Sequence, residues 1–243
     1  MTLASLTLDF SLADAAALAF LLASWLGLGW LVEHPPASRP SVARLMAGMR
    51  RDWMRAFVTR QPRIFDATVL DSLRQSTAFF ASATMIALGG GVALMGDADR
   101  LAGFAADFTL QTSRTVVEVK LLVVLLLVAN AFLKFVWANR LFGYCAILMA
   151  SVPNDPADPD AFPRAAKAAE INITAARSFN RGINSMYFAI AALAWLAGAA
   201  AFAAAVALTL AMMARREFAS ESRRVILAAR SGDTAKSRDP AQP

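Results

Sequence analysis

The chain has 243 residues, 58% of them hydrophobic and only 17% charged, with a formal net charge of +6. A water-soluble domain of this size holds about 45–50% apolar residues, so the surplus has to lie in lipid. The single cysteine and single histidine, Cys145 and His34, exclude an internal disulfide and a Cys/His zinc centre.

Four apolar stretches follow one another along the chain. The first is SLADAAALAFLLASWLGLGWLV, residues 11–32. Asp9 and Asp14 stand where a cleavable signal peptide carries basic residues, and the prolines of EHPP end the helix. Next come residues 76–96, STAFFASATMIALGGGVALMG, then residues 115–137 and residues 183–213. Each has the roughly 20 residues that cross hydrocarbon. The expected fold is all-α: a polytopic membrane protein with four transmembrane helices inside one domain, residues 1–230, followed by a disordered polar tail, residues 231–243.

Charge between the spans assigns sides. The connector from Glu33 to Arg74 holds eight Arg against four acids, and that from Lys134 to Arg181 holds six Lys or Arg. The short one from Asp97 to Arg114 holds two Arg and three Asp. The positive-inside rule therefore places the first and third connectors in the cytoplasm and the N-terminus outside. With four spans the tail after Ala214 also lies outside, although it carries seven Lys or Arg. Beside apolar spans, the positive charge points to orientation and anionic lipid headgroups rather than to nucleic acid.

Within the first connector, Val42, Leu45, Met46, Met49, Trp53 and Phe57 form one stripe, with Arg44, Arg51 and Arg55 largely opposite. This is a basic amphipathic helix, lying on the membrane or packed on the cytoplasmic ends of the bundle. IFDATVLDSLRQ continues as helix into the second span. There Asp71 faces Arg74, and Asp66 awaits an arginine from a neighbouring helix.

Beyond the third span the apolar pattern persists through LFGYCAILMASV, so one long helix projects past the bilayer before PNDPADPD ends it. Lys134, Trp137 and Arg140 sit where that helix leaves the hydrocarbon, as snorkelling cations and an interfacial tryptophan do. Asn130, Lys134 and Trp137 share one helical face. The Ala-rich stretch RAAKAAEINITAARSFNRG is helical and runs toward the fourth span.

Gly89, Gly90 and Gly91 are not a phosphate loop, since no Gly-Lys-Ser/Thr follows; they fit close helix packing. Arg114 and Glu118 are spaced to pair at the outer end of the third span. Cys145 lacks an activating base and reads as a packing residue. The residue pattern contains no nucleophile–base–acid set, metal cluster or cofactor motif.

Several stretches resemble the bacterial membrane proteins grouped as DUF599: RDWMRAFVTRQPRIFDATVLDSLRQSTAFFASATMIALGGG, LKFVWANRLFGYCAILMASVP, SFNRGINSMYFAIAALAW and RREF. They span nearly the whole chain in order. That family has no assigned activity. The resemblance implies that Trp53, Arg60, Arg63, Asp66, Phe79, Phe80, Ser82, Lys134, Trp137 and Arg140 belong to its pattern, and that the membrane is a bacterial inner membrane.

Spacing and resemblance together mark a polar cluster at the cytoplasmic membrane face: Trp53, Arg60, Arg63, Asp66, Arg74, Asn130, Lys134, Trp137 and Arg140. The expected function is non-enzymatic, with that face binding a partner membrane protein, a second copy of the chain, or anionic lipid. The alternative is a small anion carrier or channel, with Asn130, Lys134 and a break at Gly89–Gly91 lining its path.

Overall fold

The structure, a computed structural model, describes residues 10–96 and 114–236, with Arg114 and residues 229–236 described by backbone alone. Seven α-helices make up the described residues: α1 (Leu12–Glu33), α2 (Val42–Thr59), α3 (Ile64–Gly96), α4 (Arg114–Ala150), α5 (Ala161–Leu193), α6 (Ala199–Phe218) and α7 (Glu221–Lys236). No strand occurs among them, and a 3-10 turn at Ala194–Ala197 separates α5 from α6. Four helices are long and apolar enough to cross a membrane: α1, α3, α4 from Thr115, and the stretch Ala199–Ala228. The architecture is all-α and polytopic.

Helix α1 starts from a capping box. Ser11 Oγ accepts the Asp14 N–H at 3.1 Å while the Asp14 carboxylate accepts the Ser11 N–H, so two of the donors left over at a helix start are satisfied reciprocally. Ala17, Leu21, Ser24 and Leu28 form its buried seam, in steps of four and three. Leu22, Leu26 and Trp30 on the other faces stay exposed, as a lipid-facing surface requires.

Helix α4 has 37 residues, about 55 Å at 1.5 Å per residue. That exceeds the roughly 30 Å thickness of a hydrocarbon core. Its main partner is α5, whose buried face is built from small residues, among them Ala165, Ala168, Ala175, Gly182 and Ala189. Small side chains let two backbones approach closely. At Gly182 a Cβ would lie 2.6 Å from the Phe135 ring, so only glycine fits. Phe135 also packs with Phe80 and Phe179, ring centroids 5.4 Å away in each case.

The stretch 183–213 is not one helix, as its unbroken hydropathy predicts. It divides at Gly198, which has φ 109° and so holds the left-handed conformation that costs glycine little. The Gly198 N–H closes the 3-10 turn on the Trp195 carbonyl at 3.0 Å, and α6 then runs back along α1 and α5. The far end of the bundle is locked around this turn. Trp195 Nε1 donates to Asp14 at 2.7 Å, Lys120 Nζ donates to the Trp195 carbonyl at 3.0 Å, and the Trp195 and Phe202 rings stack at 4.7 Å.

The reversal returns the start of the basic tail to the end of the bundle that carries α2. Arg223 Nε donates to the Pro40 carbonyl at 2.9 Å. This corrects the four-span expectation that puts the tail on the opposite side from the first connector. Helix α7 also runs on to Lys236, past the expected start of a disordered tail, while residues 237–243 lie outside the described ones.

The amphipathic segment forms α2, which lies across the ends of the other helices. Leu45, Ala47, Met54, Phe57 and Val58 are buried there, packing chiefly against α5. Of the two arrangements its pattern allows, the structure shows packing on the bundle. Its N-terminus is fixed twice. Ser41 Oγ accepts the Arg44 N–H and donates to the Val32 carbonyl at 2.7 Å, and the Glu217 carboxylate accepts the Ala43 N–H at 3.2 Å. A carboxylate there also meets the positive end of the helix dipole.

Candidate functional site

The charged residues expected at the membrane face fall into separate groups. Asp66, with no exposed surface, accepts from Trp53 Nε1 at 2.7 Å and from Arg60 Nη1. Arg63 lies beside them, its guanidinium donating to the carbonyls of Val152 (2.8 Å), Val58 (3.1 Å) and Pro153 (2.7 Å) while covering the Phe57 ring. These contacts tie the end of α2 to α3 and to the end of α4. The geometry is that of a clamp, with both donors converging on Asp66 Oδ1, while Asp66 Oδ2 and Arg63 Nε are buried without a hydrogen-bond partner.

Arg74 is exposed and lines a side cavity of about 410 Å³ together with Arg63 and Asp71. The Asp71 carboxylate accepts from Gln75 rather than from Arg74. Asn130 turns to α5, where its Oδ1 accepts from Ser185 at 3.1 Å. Trp137 is 49% exposed, and Arg140 donates to Tyr144 on the outer surface. Lys134 is half-buried, and its carbonyl accepts from Ser178. Asn130, Lys134 and Trp137 therefore do not converge. Helix α3 runs unbroken through Gly89–Gly91; Gly89 and Gly90 face open space, and only Gly91 meets a neighbour, Leu125. The side chain of Arg114 is outside the described ones, so its pairing with Glu118 is too.

A second concave feature lies elsewhere. A cavity of about 430 Å³ opens beneath α2, walled by the ends of α1 and α6, the middle of α5 and the Leu73–Thr77 turns of α3. Six arginines line it: Arg44, Arg50 and Arg51 from α2, Arg177 and Arg181 from α5, and Arg216 from α6. Only two carboxylates do, Glu33 and Glu217. Its remaining lining is largely apolar, including Leu28, Val32, Leu73, Phe142, Phe179 and Met213. None of the nine residues marked from the sequence lines it.

Ion pairs brace its rim. Glu33 accepts a two-point contact from Arg181 at 2.5 and 2.6 Å, with Arg177 3.9 Å away. Arg51 makes the same fork with Glu170 at 2.6 and 3.1 Å. That hydrogen bond holds the Glu170 carboxyl below its ordinary value of 4.5 and raises the Arg51 guanidinium.

Arg50 differs. It donates to Asn172 Oδ1, a neutral acceptor with no exposed surface, and among the described residues it makes no ion pair. Asn172 Nδ2 in turn reaches Cys145 Sγ at 3.5 Å. Burial lowers the Arg50 pKa, yet a guanidinium stays charged at any physiological pH. A cation held by a neutral amide at the wall of an apolar cleft is incompletely neutralised. Chemically the cavity offers fixed donors for an oxyanion. Among the described residues no three His, Cys, Asp or Glu side chains meet as metal ligands.

Local pattern carries little of this. Glu33 and Arg181 are 148 residues apart, and Arg50 and Asn172 are 122 apart. The available signal was the i, i+4 spacing of Arg177 and Arg181, together with an acid at the end of the first span.

Fold and site together define a polytopic helical membrane protein whose basic end carries an arginine-lined cleft. The chain belongs to the DUF599 family, described as proteins of unknown function, whose profile matches residues 16–222. Comparison with curated proteins and with solved structures gave no match.

Proposed function

We propose that this is a non-catalytic membrane protein that retains an anionic ligand at its basic end, and that this end faces the cytoplasm of a bacterial inner membrane. One observation carries the reading: six arginines and two glutamates line the 430 Å³ cavity, with Glu170 pairing one of the arginines at its rim. Like charges gathered around a low-dielectric cleft repel one another, and an anion relieves that repulsion. Orientation follows the same charges. With the tail returned to this end, Arg215, Arg216, Arg223 and Arg224 join the eight arginines of the first connector and the six Lys or Arg of the third. The positive-inside rule then favours one orientation strongly. A retained anion is preferred here to a carrier path through Gly89–Gly91, since α3 stays helical there and Lys134 does not line the cavity.

Native mass spectrometry of protein extracted gently from its own membrane tests this. The expected species is the chain with a retained anion. A stoichiometric protein partner with no bound anion, or a bare chain, overturns the proposal.

A further inference from the structure

Resting on that reading, we propose that the ligand is an anionic amphiphile that enters sideways from the lipid between α1 and α3, with its acidic headgroup held under α2 by Arg50. Three observations point the same way. First, α1 and α3 both line the cavity, through Leu28–Val32 and Leu73–Thr77, yet they scarcely touch each other. Both also expose large apolar side chains, such as Leu26 and Phe79. The gap between them therefore adjoins the lipid-facing surface.

Second, the roof is fixed. Ser41 ties α2 to Val32, Arg51 ties it to Glu170, and Trp53 and Arg60 tie its other end to Asp66. An occupant cannot enter by lifting α2 without breaking these contacts, which leaves the side. Third, the lining is divided. Every arginine of the lining comes from α2, α5 or α6, whereas α1, α3 and α4 contribute Leu28, Val32, Leu73 and Phe142 and no cation. An inorganic anion needs no apolar wall, whereas a lipid needs both.

Arg50 is the residue best placed to meet the headgroup, since Arg51 and Arg181 already hold carboxylates. A guanidinium presents a planar fork that matches the oxygens of a phosphoryl or carboxyl group. A phosphodiester headgroup is the chemistry shared by common anionic lipids, and inorganic phosphate is its water-borne counterpart.

The test uses the purified full chain in a neutral detergent with three probes: dioctanoyl phosphatidylglycerol, dioctanoyl phosphatidylcholine and inorganic phosphate. The anionic lipid is expected to bind saturably at one per chain, and the other two weakly. Arg50→Gln is expected to weaken it about tenfold or more, the loss of one charge-assisted hydrogen bond. Ser76→Phe, at the exposed lip on α3, is expected to weaken the lipid while leaving phosphate unchanged. Arg74→Gln, in the side cavity, is expected to change neither. Circular dichroism melts of each variant confirm folding.

If phosphate binds as tightly as the lipid and Ser76→Phe is silent, the sideways amphiphile is wrong while the anion-binding function stands. If lipid binding survives Arg50→Gln in a folded protein, the headgroup lies elsewhere and the inference fails. Binding of neither anion overturns both readings.

Discussion

Asp66 is the residue on which the basic end turns. Its carboxylate is fully buried and receives both the Trp53 indole and the Arg60 guanidinium. Asp66→Ala leaves those donors without an acceptor, and breaking a buried charged pair in this way costs about 3–5 kcal/mol. Melting in detergent should show a large drop, with the tryptophan emission of Trp53 shifting; an unchanged midpoint would remove Asp66 from the clamp. Gly182 is the opposite case, a site defined by lack of volume. Gly182→Ala drives a methyl group into the Phe135 ring and should destabilise by about 1–3 kcal/mol. Gly89→Ala, facing open space, should not lower the melting midpoint. Neither distinction is visible in the sequence, where GGG draws more attention than the lone glycine of NRGIN. What separates them is which neighbour lies opposite, and that depends on α4 and α5 meeting in register.

At the scale of elements, the extents of α3 and α4 and the helical start of α5 were legible because apolar periodicity and Ala-rich stretches run without a breaker until a proline cluster or the end of the run. The break in the last apolar segment was not. Hydropathy does not register a reversal when the turn itself is Ala-Trp-Leu-Ala-Gly and every residue but the glycine is apolar. The turn depends on a single positive φ and on Asp14 and Lys120 reaching it from two other helices. The attachment of α2 to α5 makes a pH-dependent prediction. Because Arg51 depresses the folded pKa of Glu170, that pair stabilises fully above the ordinary value of 4.5, and the contribution is lost as pH falls through the lower folded value. Both side chains are about half exposed, so solvent screening keeps it under about 1 kcal/mol. The melting gap between the native chain and Glu170→Gln should therefore be small and constant at neutral pH, close in acid, and shrink in high salt. A gap that widens in acid would contradict the pairing.

For the whole molecule, the all-α class, the membrane and the family were legible, because composition and long apolar runs survive any error in pairing. The cleft was not, since its walls come from six helices and its ion pairs join residues more than 100 positions apart. Sidedness offers the cleanest check at this scale. Single cysteines at Ser38 and Ser220 should share one side and resist an impermeant thiol reagent in intact cells, while the buried native Cys145 stays silent. Opposite labelling of the two would refute the reversal at Gly198.

The pairing of α1 with α6 bears on how such a chain is assembled. Helix α1 finds its main partner only in α6, nearly two hundred residues later in the chain. Until then α1 waits in lipid with its Ala17–Leu28 seam uncovered, and α5, the hub, has yet to be made. Closure of α1 onto α6 thus waits until both have been made. A ribosome stalled before Gly198 would leave behind an inserted but open intermediate, the natural substrate of a membrane quality-control protease.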